Sequence, residues 1–226
     1  MVAHTLRRSR IPDPPLLLVT DRRQARRPLA EIVSAAIAAG CRWISLREKD
    51  LPEDEQALLA RRLLPAIHAV GARLLVHGDP ALAGLAGADG VHLPAGADAA
   101  AARARLGRDK LIGLSIHSVG EAAAIVPANV DYALAGPAFE TPSKPGYGPE
   151  IGRKGLAEIV HAAPVPVLAI GGVNALRVPE LIAAGATGVA VMGGIMRASD
   201  PETEVRGLIA ALRGSPASGT QRYRAR

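Results

Sequence analysis

The sequence contains a single cysteine, Cys41, so no disulfide can form within the chain, in keeping with a reducing compartment. That thiol is expected to pack as a small hydrophobe. Aromatic residues make up only 2% of the chain (Trp43, Tyr132, Phe139, Tyr147 and Tyr223), too few for a platform that stacks the bases of single-stranded nucleic acid. No run of about 18 apolar residues exists, which excludes a membrane-spanning helix. The apolar run after the basic start, Leu16 to Val19, is shorter than the roughly 7 to 15 residues of a signal-peptide core. Together these features point to a cytoplasmic protein. What is present suits one globular body: 226 residues, 49% hydrophobic and 21% charged, enough to bury one sizeable core.

The formal net charge is +6, a balance that can signal a polyanionic partner. Its distribution argues otherwise. Residues 1–27 hold seven arginines (Arg7, Arg8, Arg10, Arg22, Arg23, Arg26 and Arg27) against Asp13 and Asp21, and residues 214–226 add Arg222, Arg224 and Arg226 with no acid. Residues 28–213 then carry 17 basic and 19 acidic groups, a charge of −2. The expected organisation is a basic N-terminal extension over 1–14, a single folded body over 15–213 and a basic tail over 214–226. Solvated ends are the commoner meaning of such charge runs, so neither nucleic acid nor a membrane is expected as a partner.

Short apolar runs alternate with longer Ala/Leu-rich stretches. Strands are expected at 16–20, 43–47, 73–77, 88–92, 111–115, 131–135, 166–170 and 188–192. Helices are expected at 28–39, 52–70, 80–86, 97–106, 119–125, 155–162, 175–184 and 201–212. The strand runs show little polar alternation, as parallel strands covered on both faces should. Pro28, Pro52 and Pro80 are suited to first helical turns, and the glycines opening GCRWI, GARLL, GADGV and GATGV to helix ends. Eight βα units predict an α/β fold of the (β/α)8 TIM-barrel type, in a single domain. An open flavodoxin-like sheet is the alternative.

In such a barrel the functional groups lie at the C-terminal ends of the strands. Gly171 and Gly172 after the seventh strand, and Met192 and Gly193 in the turn after the eighth, can bring backbone N–H groups onto a phosphate. Arg47 and Lys49 alternate with Glu48 at the end of strand 2, so they share a side and can bracket an anion. The loop GPAFETPSKPGYG brings Thr141, Ser143 and Lys144 to the barrel mouth. His117, just past strand 5, is placed to take and return a proton. His77 and His92 end strands 3 and 4, where a pocket-wall or packing role is expected.

In this order the segments LLLVTD, LREKD, GADGVHL, GLSIHS, DYALAGPAFETPSKPG, IGGVN and GVAVMGGI resemble the superfamily of thiamine phosphate synthase and the thiazole tautomerase TenI. The resemblance spans roughly residues 16–213 and implies a barrel acting on a small phosphorylated thiazole. In its synthase branch a pyrimidine pyrophosphate is joined to the thiazole phosphate, with magnesium held by carboxylates. One of these carboxylates belongs to an Asn-Asp pair, which falls here on His77 and Gly78. The position of the other falls on Ala97, and Ser45 stands where the synthase carries Gln. The stretches LPAG at 93–96 and FET at 139–141 instead resemble the tautomerase.

The resemblance therefore favours a metal-free isomerase that aromatises a carboxythiazole phosphate, with no cofactor. In that reading His117 is the acid/base and the substrate is bound by Arg47, Lys49, His77, Thr141, Ser143, Lys144, Gly171, Gly172, Met192 and Gly193. The alternative is the synthase, using Mg2+ with Asp79 or Asp98 recruited as a displaced ligand. A non-catalytic binding or regulatory barrel is a third reading, and a homo-oligomer is left open.

Overall fold

Eight parallel strands follow one another round a closed barrel: β1 (Leu16–Val19), β2 (Trp43–Leu46), β3 (Arg73–His77), β4 (Gly90–Leu93), β5 (Leu111–Ile116), β6 (Tyr132–Ala135), β7 (Val167–Ile170) and β8 (Gly188–Val191). The ring closes where Leu17 of β1 pairs with Ala190 of β8. The structure is a computed structural model and describes residues 10–141 and 149–215. The expectations placed on Ser143, Lys144, residues 1–9 and residues 216–226 therefore lie outside the described residues.

Both faces of the strands are mostly apolar because one packs on the helices and the other on the barrel interior. Leu16 and Leu18 face the helices while Leu17 and Val19 face the barrel axis, a two-residue alternation between two separate apolar clusters. The inner cluster holds Trp43 and Tyr132, from opposite sides of the barrel, in an edge-to-face contact with ring centroids 4.6 Å apart. Such a pair adds about 0.5–1.5 kcal/mol to what its area burial contributes.

The outer layer is α1 (Leu29–Ala38), α2 (Glu53–Ala69), α3 (Pro80–Ala86), α4 (Ala99–Leu106), α5 (Val119–Ala123), α6 (Gly152–Ala162), α7 (Val178–Ala183) and, after a short α8 (Gly193–Met196), α9 (Pro201–Gly214). The expected strands and helices are all present, most within a few residues. Pro80 opens α3, whereas Pro28 and Pro52 stand one residue earlier, as the N-caps of α1 and α2. Gly87 ends α3 at φ +70, the left-handed conformation that favours glycine. Helix α8 and a 3-10 turn at Arg22–Gln24 are additions. Both lie just beyond strand ends, at the mouth.

Candidate active site

The ends of β1 and β2 are tied together by one buried carboxylate. Glu48 is 1% exposed and sits on the outward-facing parity of the strand, with Leu46, leaving Arg47 and Lys49 on the other side. The Thr20 hydroxyl donates to one Glu48 oxygen at 2.6 Å, and the Arg22 N–H to the other at 2.9 Å. The Arg47 N–H in turn donates to the Thr20 hydroxyl oxygen at 3.0 Å. Burial raises the Glu48 carboxyl above its ordinary range, partly opposed by these donors. Glu48 thus organises the cationic segment rather than facing a ligand.

The Arg47 side chain, 13% exposed, reaches across β1, its guanidinium 3.9 Å from Asp21 Oδ2 and 3.9 Å from Met192 Sδ. The nearest carboxylate is therefore outside hydrogen-bond range, while the guanidinium borders the turn after β8. Lys49 is exposed. Two residues below Arg47, Ser45 is 1% exposed and its hydroxyl has no hydrogen-bond partner among the described residues.

Strands β7 and β8 are paired through Ile170 and Ala190, which sets the two glycine turns side by side. Gly172 has φ +63, and a Cβ there would stand 2.6 Å from the Glu140 carbonyl. Glycine at this point lets the turn after β7 pack against the loop after β6. Arg177 holds that contact, donating to the Gly172 carbonyl at 2.8 Å and lying 4.3 Å over the Phe139 ring. Met192 caps α8, whose first residues are Gly193 and Gly194. Their N–H groups have no acceptor inside the helix, the feature that makes this end of a TIM barrel suited to phosphate. Gly171 and Gly172 thus follow β7 beside the turn at Met192 and Gly193 that follows β8.

His117 is three strands round from Arg47. It precedes Ser118, the N-cap of α5, and its Nδ1 lies 2.6 Å from the Gly136 carbonyl. A carbonyl only accepts, so Nδ1 carries the proton and Nε2 is the basic nitrogen of the neutral ring. The imidazole lines a cavity of about 570 Å³ with Pro137, Glu150 and Ile151. Thr141, at the edge of the described loop, is half-buried.

A buried polar chain was not foreseen. His92 is 1% exposed, with Nδ1 3.0 Å from the Tyr132 hydroxyl and Nε2 2.9 Å from the Ser115 hydroxyl. Desolvation lowers its pKa to about 3, so the ring is neutral, donating through one nitrogen and accepting at the other. The His77 ring lies against it, centroids 4.9 Å apart. The signal for this chain was Gly113, where a Cβ would stand 2.1 Å from Tyr132 Cζ and 2.5 Å from His92 Nδ1. Its role becomes visible only once β4, β5 and β6 are neighbours.

A family model described as thiamine monophosphate synthase matches residues 16–195. The chain belongs to this family. It is 44% identical over 199 residues to a putative thiamine-phosphate synthase of Geobacter sulfurreducens, covering 87% of this chain and 93% of that one. It is 40% identical over 199 residues to a thiamine-phosphate synthase of a Roseiflexus species, covering 86% and 84%. Among solved structures, thiamine phosphate pyrophosphorylase from Pyrococcus furiosus superposes with a TM-score of 0.78 at 30% identity, covering 88% and 95%.

These relatives overturn the expectation of a tautomerase, since the proteins matched over nearly the whole barrel are named as thiamine-phosphate synthases or a thiamine phosphate pyrophosphorylase, and none of them as a tautomerase. The two stretches that favoured the isomerase have local structural reasons. LPAG ends β4 at Leu93 and turns the chain into α4, with Ala97 N–H donating to the Pro94 carbonyl at 3.3 Å. In FET, Phe139 is the ring under Arg177, and its N–H donates to the Gly171 carbonyl at 3.1 Å. Neither pattern requires a particular reaction.

The magnesium that the synthase branch implies does not fit the donors present. Gly78 and Ala97 occupy the two expected carboxylate positions. The carboxylates beside them are engaged: Asp79 accepts from the Ala81 N–H at 2.6 Å and Asp98 from the Ala101 N–H at 2.9 Å, capping α3 and α4. Among the described residues no three His, Cys, Asp or Glu side chains group to hold a metal ion.

Proposed function

We propose that this chain is a transferase of thiamine biosynthesis that joins a pyrimidine pyrophosphate to a thiazole phosphate, giving thiamine phosphate. The observation that carries the reading is the 44% identity running through 93% of a relative named for that activity. In the reaction a carbon–oxygen bond of the pyrophosphate ester breaks, its electron pair leaves with pyrophosphate, and the freed carbon bonds to the thiazole nitrogen. Gly171, Gly172, Met192 and Gly193 hold the thiazole phosphate at the turns after β7 and β8. Arg47 and Lys49 face the pyrophosphate. Ser45 and His77 form the floor under the pyrimidine, and His117 with Thr141 orients substrate from the β5 and β6 side. Ser143 and Lys144 belong to the same proposed mouth by sequence. The enzyme is taken to act in the cytoplasm on small phosphorylated substrates; among the described residues no helix is long and apolar enough to cross a membrane.

The test is to incubate the purified chain with hydroxymethylpyrimidine pyrophosphate and the thiazole phosphate and to quantify both products. Thiamine phosphate and pyrophosphate should appear in equal amounts, and Arg47→Ala should lower kcat/KM by roughly 10²-fold, the scale of losing one charge-stabilising donor. No thiamine phosphate above the enzyme-free control, with or without magnesium, would refute the assignment.

A further inference from the structure

We propose that the barrel mouth binds pyrophosphate without a divalent cation, the anion's charge being met by Arg47 and Lys49 instead of a carboxylate-held metal. The inference rests on the synthase reading for the identity of the anion.

A pyrophosphate group carries several negative charges at neutral pH, and a protein can offset them with a metal held by carboxylates or with its own cations. The first route lacks donors here. Asp79 and Asp98 point into the first turns of α3 and α4, so turning either toward a metal would uncap its helix. At the end of β1, Asp21 caps the 3-10 turn, accepting from the Arg23 N–H at 3.2 Å and from Gln24 Nε2 at 2.7 Å. Glu48 is held on the outer face by Thr20 and Arg22, and Asp50 pairs with Arg22 at 2.6 Å. Each of these carboxylates already has its donors.

The second route is equipped. The Arg47 guanidinium is largely shielded from solvent, with Asp21 Oδ2, at 3.9 Å, the nearest carboxylate oxygen among the described residues and the turn that opens α8 at the same distance. A guanidinium in that state is short of acceptors, and its planar fork can engage two phosphate oxygens at once. Shielding also strengthens its attraction to an anion relative to the same pair in water. Lys49, two residues on, shares its side of the segment and is exposed to an incoming ligand.

The experiment is isothermal titration of the full chain with inorganic pyrophosphate, once in excess EDTA and once in millimolar MgCl2. The two dissociation constants should agree within about threefold, Arg47→Ala should weaken both by tenfold or more, and Asp79→Ala with Asp98→Ala should leave the ratio unchanged. Binding at least tenfold weaker in EDTA overturns the proposal, as does no measurable binding in either buffer or an Arg47→Ala variant that binds like the parent. The proposal also fails if removing the two aspartates abolishes a magnesium effect. Metal-independent binding without thiamine phosphate synthesis would sink the synthase reading and leave this one standing. Synthesis and pyrophosphate binding that both vanish in EDTA would do the reverse.

Discussion

His92 shows how one enclosed side chain sets a pH window. Its pKa is held at about 3 by desolvation, whereas in the unfolded chain it titrates near 6.5. Above that value both states are neutral and the full stability is present. As pH falls from about 6.5 toward 3 the unfolded chain takes up a proton that the folded chain refuses, and stability declines by at most about 1.4 kcal/mol per pH unit from this group. Glu48 acts with the opposite sign: its raised pKa means that acidification through the window above its unfolded value favours the fold. Urea denaturation of the parent and of His92→Gln at pH 7, 6, 5 and 4 separates the two. The parent should lose stability faster with acid, and parallel curves would contradict the assignment. His92 was recognised in the sequence as a packing residue, but its partners were not, because Tyr132 and Ser115 lie 40 and 23 residues away.

At the scale of elements, prolines, glycines and short polar residues made most boundaries readable. Helix α3 begins at the proline and ends at the glycine that mark it in the sequence. Helix α8 was missed because four residues, two of them glycine, show no helical periodicity. Helix α7 starts three residues later than the sequence suggests because the Asn174 carbonyl and side chain form a turn with Arg177 before the helix. The expectation of an isomerase has a similar origin, in two loop stretches that resemble the tautomerase but are shaped by local packing. The caps offer a clean measurement. Asp79→Ala and Asp98→Ala should each lower stability by about 0.5–2 kcal/mol, the usual range for a lost N-cap, while kcat stays within twofold. A large loss of turnover with unchanged stability would instead make either aspartate part of the chemistry.

For the molecule as a whole, the repeating βα period was enough to indicate a closed barrel, because eight apolar runs separated by helices leave no edge strand to cover. The position of the mouth followed from the strand direction alone. What could not be read was which side chains meet across the axis, since that depends on register. The positive charge is also a whole-chain property: five arginines and no acid lie in residues 1–9 and 216–226, so residues 10–215 carry only +1 of the +6. A chain trimmed to 10–215 should keep its melting temperature within about 2 °C and its kcat within twofold, as that span holds all eight strands of the closed barrel and the Arg10–Asp131 pair at 2.9 Å. A trimmed chain that melts far earlier would give the ends a structural role. The Trp43–Tyr132 contact has a further consequence. Trp43 is the only tryptophan, sealed at the base of the barrel beneath Ser45 and Arg47. The protein thus carries one selectively excitable indole directly under its proposed ligand chamber, an internal optical gauge of both occupancy and unfolding.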